Sequence, residues 1–269
     1  MADQLQLTYK KSTILFHRFG HGPEAMLAFH GFSETGSSFV CLEPSLGQRY
    51  TVWAIDLPYH GGTRWRESTH FAKADLEAIV QQLMEENGLH TISLFGFSMG
   101  GKCAMEICHR FPGQVRELYL LASDGIKTRT VYNVAVYPAW GRSLFKSIIS
   151  RPGWFFTFIR IMHRMKILSP WLYRFTMNHM DTEEKRQRLY DTWVSMANFE
   201  IDIKSLKQTI RQHAIPLKLV FGERDEVIPP AVAHEMAAGL PTATVRIIRR
   251  GHYFIDDKLN HTLEELTEI

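Results

Sequence analysis

Four short, nearly continuous apolar runs, at 25–30, 51–56, 91–95 and 117–122, are interleaved with segments of helical periodicity. Runs this apolar suit strands buried on both faces, and strands joined through helices pair in parallel. The pattern therefore predicts an α/β fold with a mainly parallel sheet flanked by helices. Between the second and third runs, Leu76, Ile79, Val80 and Leu83 recur at i, i+3, i+4 and i+7, and Gly88 marks the stop. A second helix follows Ser98, where Ala104, Ile107, Cys108 and Phe111 repeat the spacing before Pro112 and Gly113 end it. Residues 5–9 and 13–19 read as an opening antiparallel pair. Two more strands, at 217–221 and 244–248, flank a helix near 231–238, which brings the expected sheet to eight strands.

From 127 to 211 the alternation stops. A Met-rich, aromatic, helix-like stretch punctuated by Pro138, Pro152, Gly153 and Pro170 takes over, so residues 1–126 with 212–269 are expected to form one core and 127–211 a helical insertion. With 269 residues, 45% of them hydrophobic and 22% charged, the chain is long and apolar enough to fold without a staple. Cys41, Cys103 and Cys108 include no C-x-x-C pair, which argues against a disulfide framework or a zinc site and suggests a reducing compartment. Residues 1–11 are polar and lack a signal peptide's apolar core, and no transmembrane run is present. A soluble, cytoplasmic protein is expected. The formal charge of +3 is too small to argue for nucleic acid, and none is expected as a partner.

Gly96-Phe97-Ser98-Met99-Gly100 lies between a predicted strand and a predicted helix. That context distinguishes a nucleophile elbow from a chance G-x-S-x-G match. The chain must reverse within a few residues, so side chains at 96 and 100 would meet neighbouring backbone, and Ser98 is exposed at the strand's carboxyl end. A serine hydroxyl is a weak nucleophile and needs a base within hydrogen-bond reach, itself oriented by an acid.

With this turn the chain resembles the α/β-hydrolase superfamily of Ser-His-Asp serine hydrolases with a helical cap, over nearly its whole length except the insert. His30-Gly31-Phe32 is similar to the family's H-G-x oxyanion loop, and Asp56-Leu57-Pro58-Tyr59-His60-Gly61 to its D-x-P-G-H-G stretch, with Tyr59 in place of the usual glycine. Gly222-Glu223-Arg224-Asp225-Glu226-Val227-Ile228-Pro229 resembles the acid loop G-x-x-D-x-x-x-P, which implies Asp225 as the acid. Asp124 stands where some relatives carry theirs. His252, in Gly251-His252-Tyr253, completes the chain order Ser, Asp, His. The resemblance implies catalysis by Ser98, Asp225 and His252, with the oxyanion held by backbone N–H groups of Met99 and Phe32 and with His30 and His60 tying loops. No metal or cofactor is implied, because H-E-x-x-H, G-x-G-x-x-G and phosphate-loop patterns are all missing.

The insert carries the most uneven charge. From 127 to 180 there are nine Lys or Arg, eleven aromatics and no Asp or Glu, and 127–211 as a whole holds fifteen basic against six acidic residues. Three readings stand open: Arg160, Arg164 and Arg174 bind a carboxylate-bearing substrate; Trp154, Phe155, Phe156 and Phe158 contact anionic lipid; or the basic face is merely solvated. The function expected is a cofactor-free esterase, most simply a carboxylesterase, acting on a small ester or related acyl substrate. A carbon-carbon bond hydrolase using the same three residues is the alternative, and a non-catalytic receptor on the same fold is the third.

Overall fold

The structure, a computed structural model, describes residues 2–67, 70–126, 138–197 and 199–267. One sheet contains β1 (Asp3–Tyr9), β2 (Ser12–Phe19), β3 (Glu24–Phe29), β4 (Tyr50–Ile55), β5 (Ile92–Phe97), β6 (Val115–Leu121), β7 (Leu217–Gly222) and β8 (Ala243–Ile248). Their spatial order is β1-β2-β4-β3-β5-β6-β7-β8. β2 is antiparallel to both β1 and β4, and every neighbouring pair from β4 onward is parallel. All six residues of β5 are buried, as a central parallel strand covered on both faces requires. The eight-stranded, mainly parallel architecture expected from the apolar runs is the one observed.

The helices before the insert are α1 (Glu43–Leu46), α2 (Lys73–Glu86) and α3 (Gly100–Arg110). α2 buries the stripe Leu76, Ile79, Val80 and Leu83, and Gly88 takes a φ of +63° just beyond its end, a conformation glycine adopts without a Cβ penalty. α3 is buried from Gly100 through Cys108 because it lies against the centre of the sheet. At the amino end of β6, buried Glu117 accepts from the Tyr119 hydroxyl (3.0 Å) and pairs with Lys218 (3.0 Å) and Arg49, tying β4, β6 and β7 together.

By internal contacts the chain divides into two compact units, 1–127 with 199–269, and 128–198. The second contains α4 (Ala139–Ser150), α5 (Pro152–Arg164), α6 (Pro170–His179) and α7 (Glu183–Ser195). Within it Phe145 meets Tyr190 and Trp193 edge-on, and buried Arg186 donates to the carbonyls of Ile149 (3.2 Å) and Met180 (2.8 Å). The expected end of the insert, at 211, is too late. The next helix, α8 (Ile203–Gln212), belongs to the first unit, where its Thr209 hydroxyl meets His109 of α3 (3.0 Å) and Arg211 donates to the Gly239 carbonyl (2.8 Å). Phe199 stacks on Phe71 in the same unit, 5.5 Å between ring centres. Nothing in the periodicity of α8 distinguishes it from the helices before it, so the sequence marks a boundary only where strand signals resume. Lys127, the expected first residue of the insert, lies outside the described residues.

Two helices complete the first unit: α9 (Ala231–Ala237) and α10 (Leu259–Thr267). The Asn260 side chain at the start of α10 accepts from Ser45 N–H (3.1 Å) and donates to the Cys41 carbonyl (2.9 Å), fixing α10 against α1.

Candidate active site

Ser98 follows the carboxyl end of β5, Asp225 that of β7 and His252 that of β8, so three parallel strands deliver them to one rim of the sheet. Ser98 sits between β5 and α3 with a φ of +49°, a left-handed conformation that costs a non-glycine residue about 1–2 kcal/mol and turns its side chain out of the strand. The flanking glycines are required by contact. A Cβ on Gly100 would lie 2.0 Å from the Phe29 carbonyl oxygen, and one on Gly96 would lie 2.6 Å from the Gly101 Cα. Ser98 N–H donates to the Leu121 carbonyl (2.9 Å), and the Ser98 carbonyl accepts from the N–H groups of Gly101 (3.0 Å) and Asp124 (2.9 Å), so the turn is held from both sides.

Ser98 Oγ lies 2.9 Å from His252 Nε2, and His252 Nδ1 lies 2.8 Å from Asp225 Oδ2. An ionised carboxylate only accepts, so Nδ1 carries the ring proton and Nε2 is left as an acceptor facing the serine hydroxyl. Asp225 Oδ1 accepts from the N–H groups of Val227 and Ile228, both at 2.7 Å, and this locks the carboxylate plane. Asp225 and His252 are buried, and the imidazole is flanked by the Phe97 ring at 5.5 Å and the Tyr253 ring at 5.2 Å. The loops that bear them approach closely: Arg224 N–H donates to the Arg250 carbonyl (2.9 Å), and a Cβ on Gly222 would meet the Gly251 carbonyl oxygen at 2.5 Å.

Asp124 faces elsewhere. Its Oδ2 pairs with Lys102 Nζ at 3.1 Å, while Asp225 occupies the far side of His252. Phe32 stands in the loop after β3, whose neighbouring Gly31 is so near that a Cβ there would sit 3.3 Å from Ser98 Cβ. Met99 is the N-cap of α3, at the end of a helix where backbone N–H groups lack intrahelical acceptors. Both candidate oxyanion donors therefore stand in segments that adjoin the serine.

His30 and His60 each join two loops. His30 Nδ1 donates to the Gly31 carbonyl (2.7 Å) and its Nε2 accepts from Leu57 N–H (3.0 Å). Full burial pushes its pKa down to about 4, so the ring is neutral at physiological pH. His60 Nδ1 donates to the Pro58 carbonyl (3.0 Å) and Nε2 accepts from Ser33 N–H (3.1 Å). Tyr59, in place of the glycine usual in similar loops, adopts a φ of +67°, so the backbone keeps the left-handed turn despite the bulkier residue. The turn is anchored by Asp56, whose carboxylate accepts from Gly36 N–H (2.7 Å) and Gly62 N–H (2.8 Å).

Two features were not foreseen from the sequence. Lys102 is nearly buried beside the elbow and engages Asp124. Glu34 lies two residues past Phe32; Gly31 N–H donates to its carboxyl (3.4 Å), and burial pushes its pKa up to about 7 against the pull of that hydrogen bond. Neither belongs to a motif, and both depend on which loops meet.

Residues 24–259 match the family described as alpha/beta hydrolase fold. The chain belongs to that family. Among its relatives this α/β hydrolase is 19% identical over 251 residues to the uncharacterized hydrolase YugF of Bacillus subtilis, covering 93% of this chain and 90% of that one. It is 28% identical over 111 residues to the pimeloyl-[acyl-carrier protein] methyl ester esterase of Klebsiella pneumoniae, covering 41% of each. Among solved structures, a thermophilic esterase from Thermogutta terrifontis superposes with a TM-score of 0.70 at 16% identity, covering 100% of this chain and 97% of that one. At that identity the structural likeness is one of fold. No helix among the described residues is long and apolar enough to cross a membrane.

Proposed function

We propose that this α/β hydrolase is a cofactor-free serine hydrolase that cleaves an ester or related acyl bond through an acyl-enzyme on Ser98, and that its substrates are small carboxylic esters. The observation that carries the reading is the continuous hydrogen-bonded line from Ser98 Oγ through His252 to Asp225, 2.9 Å and 2.8 Å at its two links. Ester hydrolysis is also what the names of the Klebsiella and Thermogutta proteins describe.

In the first half-reaction Ser98 Oγ attacks the carbonyl carbon while His252 Nε2 takes the hydroxyl proton. The carbonyl π pair moves to oxygen, and the resulting oxyanion is held by the N–H groups of Met99 and Phe32. Collapse expels the alkoxide, which leaves as the alcohol with the proton from His252. Water, deprotonated by the same nitrogen, then attacks the acyl carbon; collapse breaks its bond to Oγ, the proton passes to that oxygen, and the acid is released. Asp225 stays ionised throughout and stabilises the imidazolium that forms twice per cycle. The helical insert is the candidate cap that selects the non-reacting part of the substrate.

Steady-state hydrolysis of a p-nitrophenyl ester series tests the reading. Wild type is expected to turn over many times, and Ser98→Ala to lose about a millionfold in kcat. Equal rates in the two proteins would refute it. Cleavage of a carbon-carbon diketone with no ester hydrolysis would assign the same residues to the alternative reaction.

A further inference from the structure

Helix α5 breaks the ordinary rule of surface helices. One side of α5 carries buried Ile159, and the opposite side should be polar. Instead, Trp154, Phe158, Ile161 and Met165 recur at i, i+4, i+7 and i+11, one stripe along α5 and its C-terminal cap, and are 46%, 51%, 52% and 62% exposed. Trp140 and Leu144, one turn apart on α4, are exposed too, as is Ile167 just after α5. An apolar stripe of this length in water marks a contact surface rather than scattered exposure.

Charge identifies the occupant. Residues 138–180 contain seven Lys or Arg and no Asp or Glu. Arg160 and Arg164, one turn apart along one flank of the stripe, are exposed, and among the described residues neither has a carboxylate partner. A second copy of the chain would set this positive face against itself. Nucleic acid would satisfy the arginines but gain little from Ile161 and Met165, which offer no ring for base stacking. An anionic lipid surface satisfies both halves: phosphates meet the arginines, while Trp and Phe side chains settle at the headgroup boundary.

We infer that the exposed face of α5 docks on anionic phospholipid, with Trp154, Phe158, Ile161 and Met165 entering the interface and Arg160 and Arg164 on the headgroups. The docking surface contains none of the residues assigned to acyl transfer, so its success or failure is separate from that of the proposed chemistry.

The test is cosedimentation of the full chain with vesicles of equal parts phosphatidylglycerol and phosphatidylcholine, and with phosphatidylcholine alone. Binding is expected only to the first, and to weaken with added salt. Arg160→Gln with Arg164→Gln should lower the partition coefficient about 30-fold, about fivefold for each charge lost near an anionic surface. Phe158→Ser with Ile161→Ser should lower it without changing the circular dichroism spectrum, since both sites are exposed, and Ser98→Ala should bind as wild type does. No binding to the phosphatidylglycerol vesicles, equal binding to both compositions, or full binding by both double variants would overturn the inference. So would a dimer in light scattering that Phe158→Ser with Ile161→Ser abolishes.

Discussion

Glu34 and His30 stand in one loop, and burial shifts their pKa values in opposite directions, which makes Glu34→Gln an informative perturbation. Burial raises the Glu34 carboxyl from its ordinary 4.5 to about 7, so the folded chain holds that proton more tightly than the unfolded chain does. Its contribution to stability is complete below pH 4.5 and is lost as pH rises through 7. His30 has the opposite sign. Burial lowers it from 6.5 to about 4, so its contribution is complete above pH 6.5 and is lost as pH falls through 4. Each shift spans about two and a half decades of proton affinity, or about 3 kcal/mol at about 1.4 kcal/mol per decade. Between 4.5 and 6.5 the two slopes cancel, and these groups leave the wild-type stability flat there. Glu34→Gln removes one slope and exposes the other. Between about pH 4.5 and pH 6.5 the variant should gain about 3 kcal/mol more unfolding free energy than wild type does. Urea denaturation followed by circular dichroism at several pH values measures this. A variant whose stability tracks wild type across the whole range would show that the Glu34 carboxyl is not buried in the folded chain.

Asp225→Asn keeps an acceptor for the Val227 and Ile228 N–H groups but presents an NH2 group to His252 Nδ1, which leaves the proton on Nε2; kcat should fall about 10,000-fold, about 5.5 kcal/mol, with little change in Tm. Asp124→Asn should cost less than about tenfold in kcat and about 2 kcal/mol in stability, because its partner is Lys102; a loss as large as that of Asp225→Asn would reverse the assignment of the acid. Gly100→Ala would press a methyl against the Phe29 carbonyl at 2.0 Å, and chemical denaturation should show a loss of at least about 3 kcal/mol.

The legible parts of this chain are those with local causes. The apolar runs of β3 to β6 announce a doubly covered sheet because each residue in them must avoid water on both faces, and the α2 stripe announces its buried side. The Ser98 elbow was readable because a reversal this tight forbids side chains at 96 and 100, as the 2.6 Å and 2.0 Å contacts of a hypothetical Cβ confirm for the backbone. Features set by meetings between distant loops were not readable. As carboxylates after strands Asp124 and Asp225 look alike, and only the resemblance of residues 222–229 to the family's acid loop implies Asp225; in the fold Asp124 meets Lys102 and Asp225 meets His252. The end of the insert is hidden in the sequence for the same kind of reason: Leu206 and Ile210 are buried in the first unit, but their spacing fits a helix packed anywhere. The unusual state of Glu34 arises from burial that its polar neighbours Ser33 and Thr35 do not foretell.

The proposed acyl transfer passes through a covalent bond to one hydroxyl. Intact-mass spectrometry during turnover of a slowly deacylated p-nitrophenyl ester, followed by peptide mapping, should show the acyl mass on the peptide containing Ser98 in wild type and its absence in Ser98→Ala. Continued turnover with no acyl adduct, or with an adduct on any other residue, would contradict it.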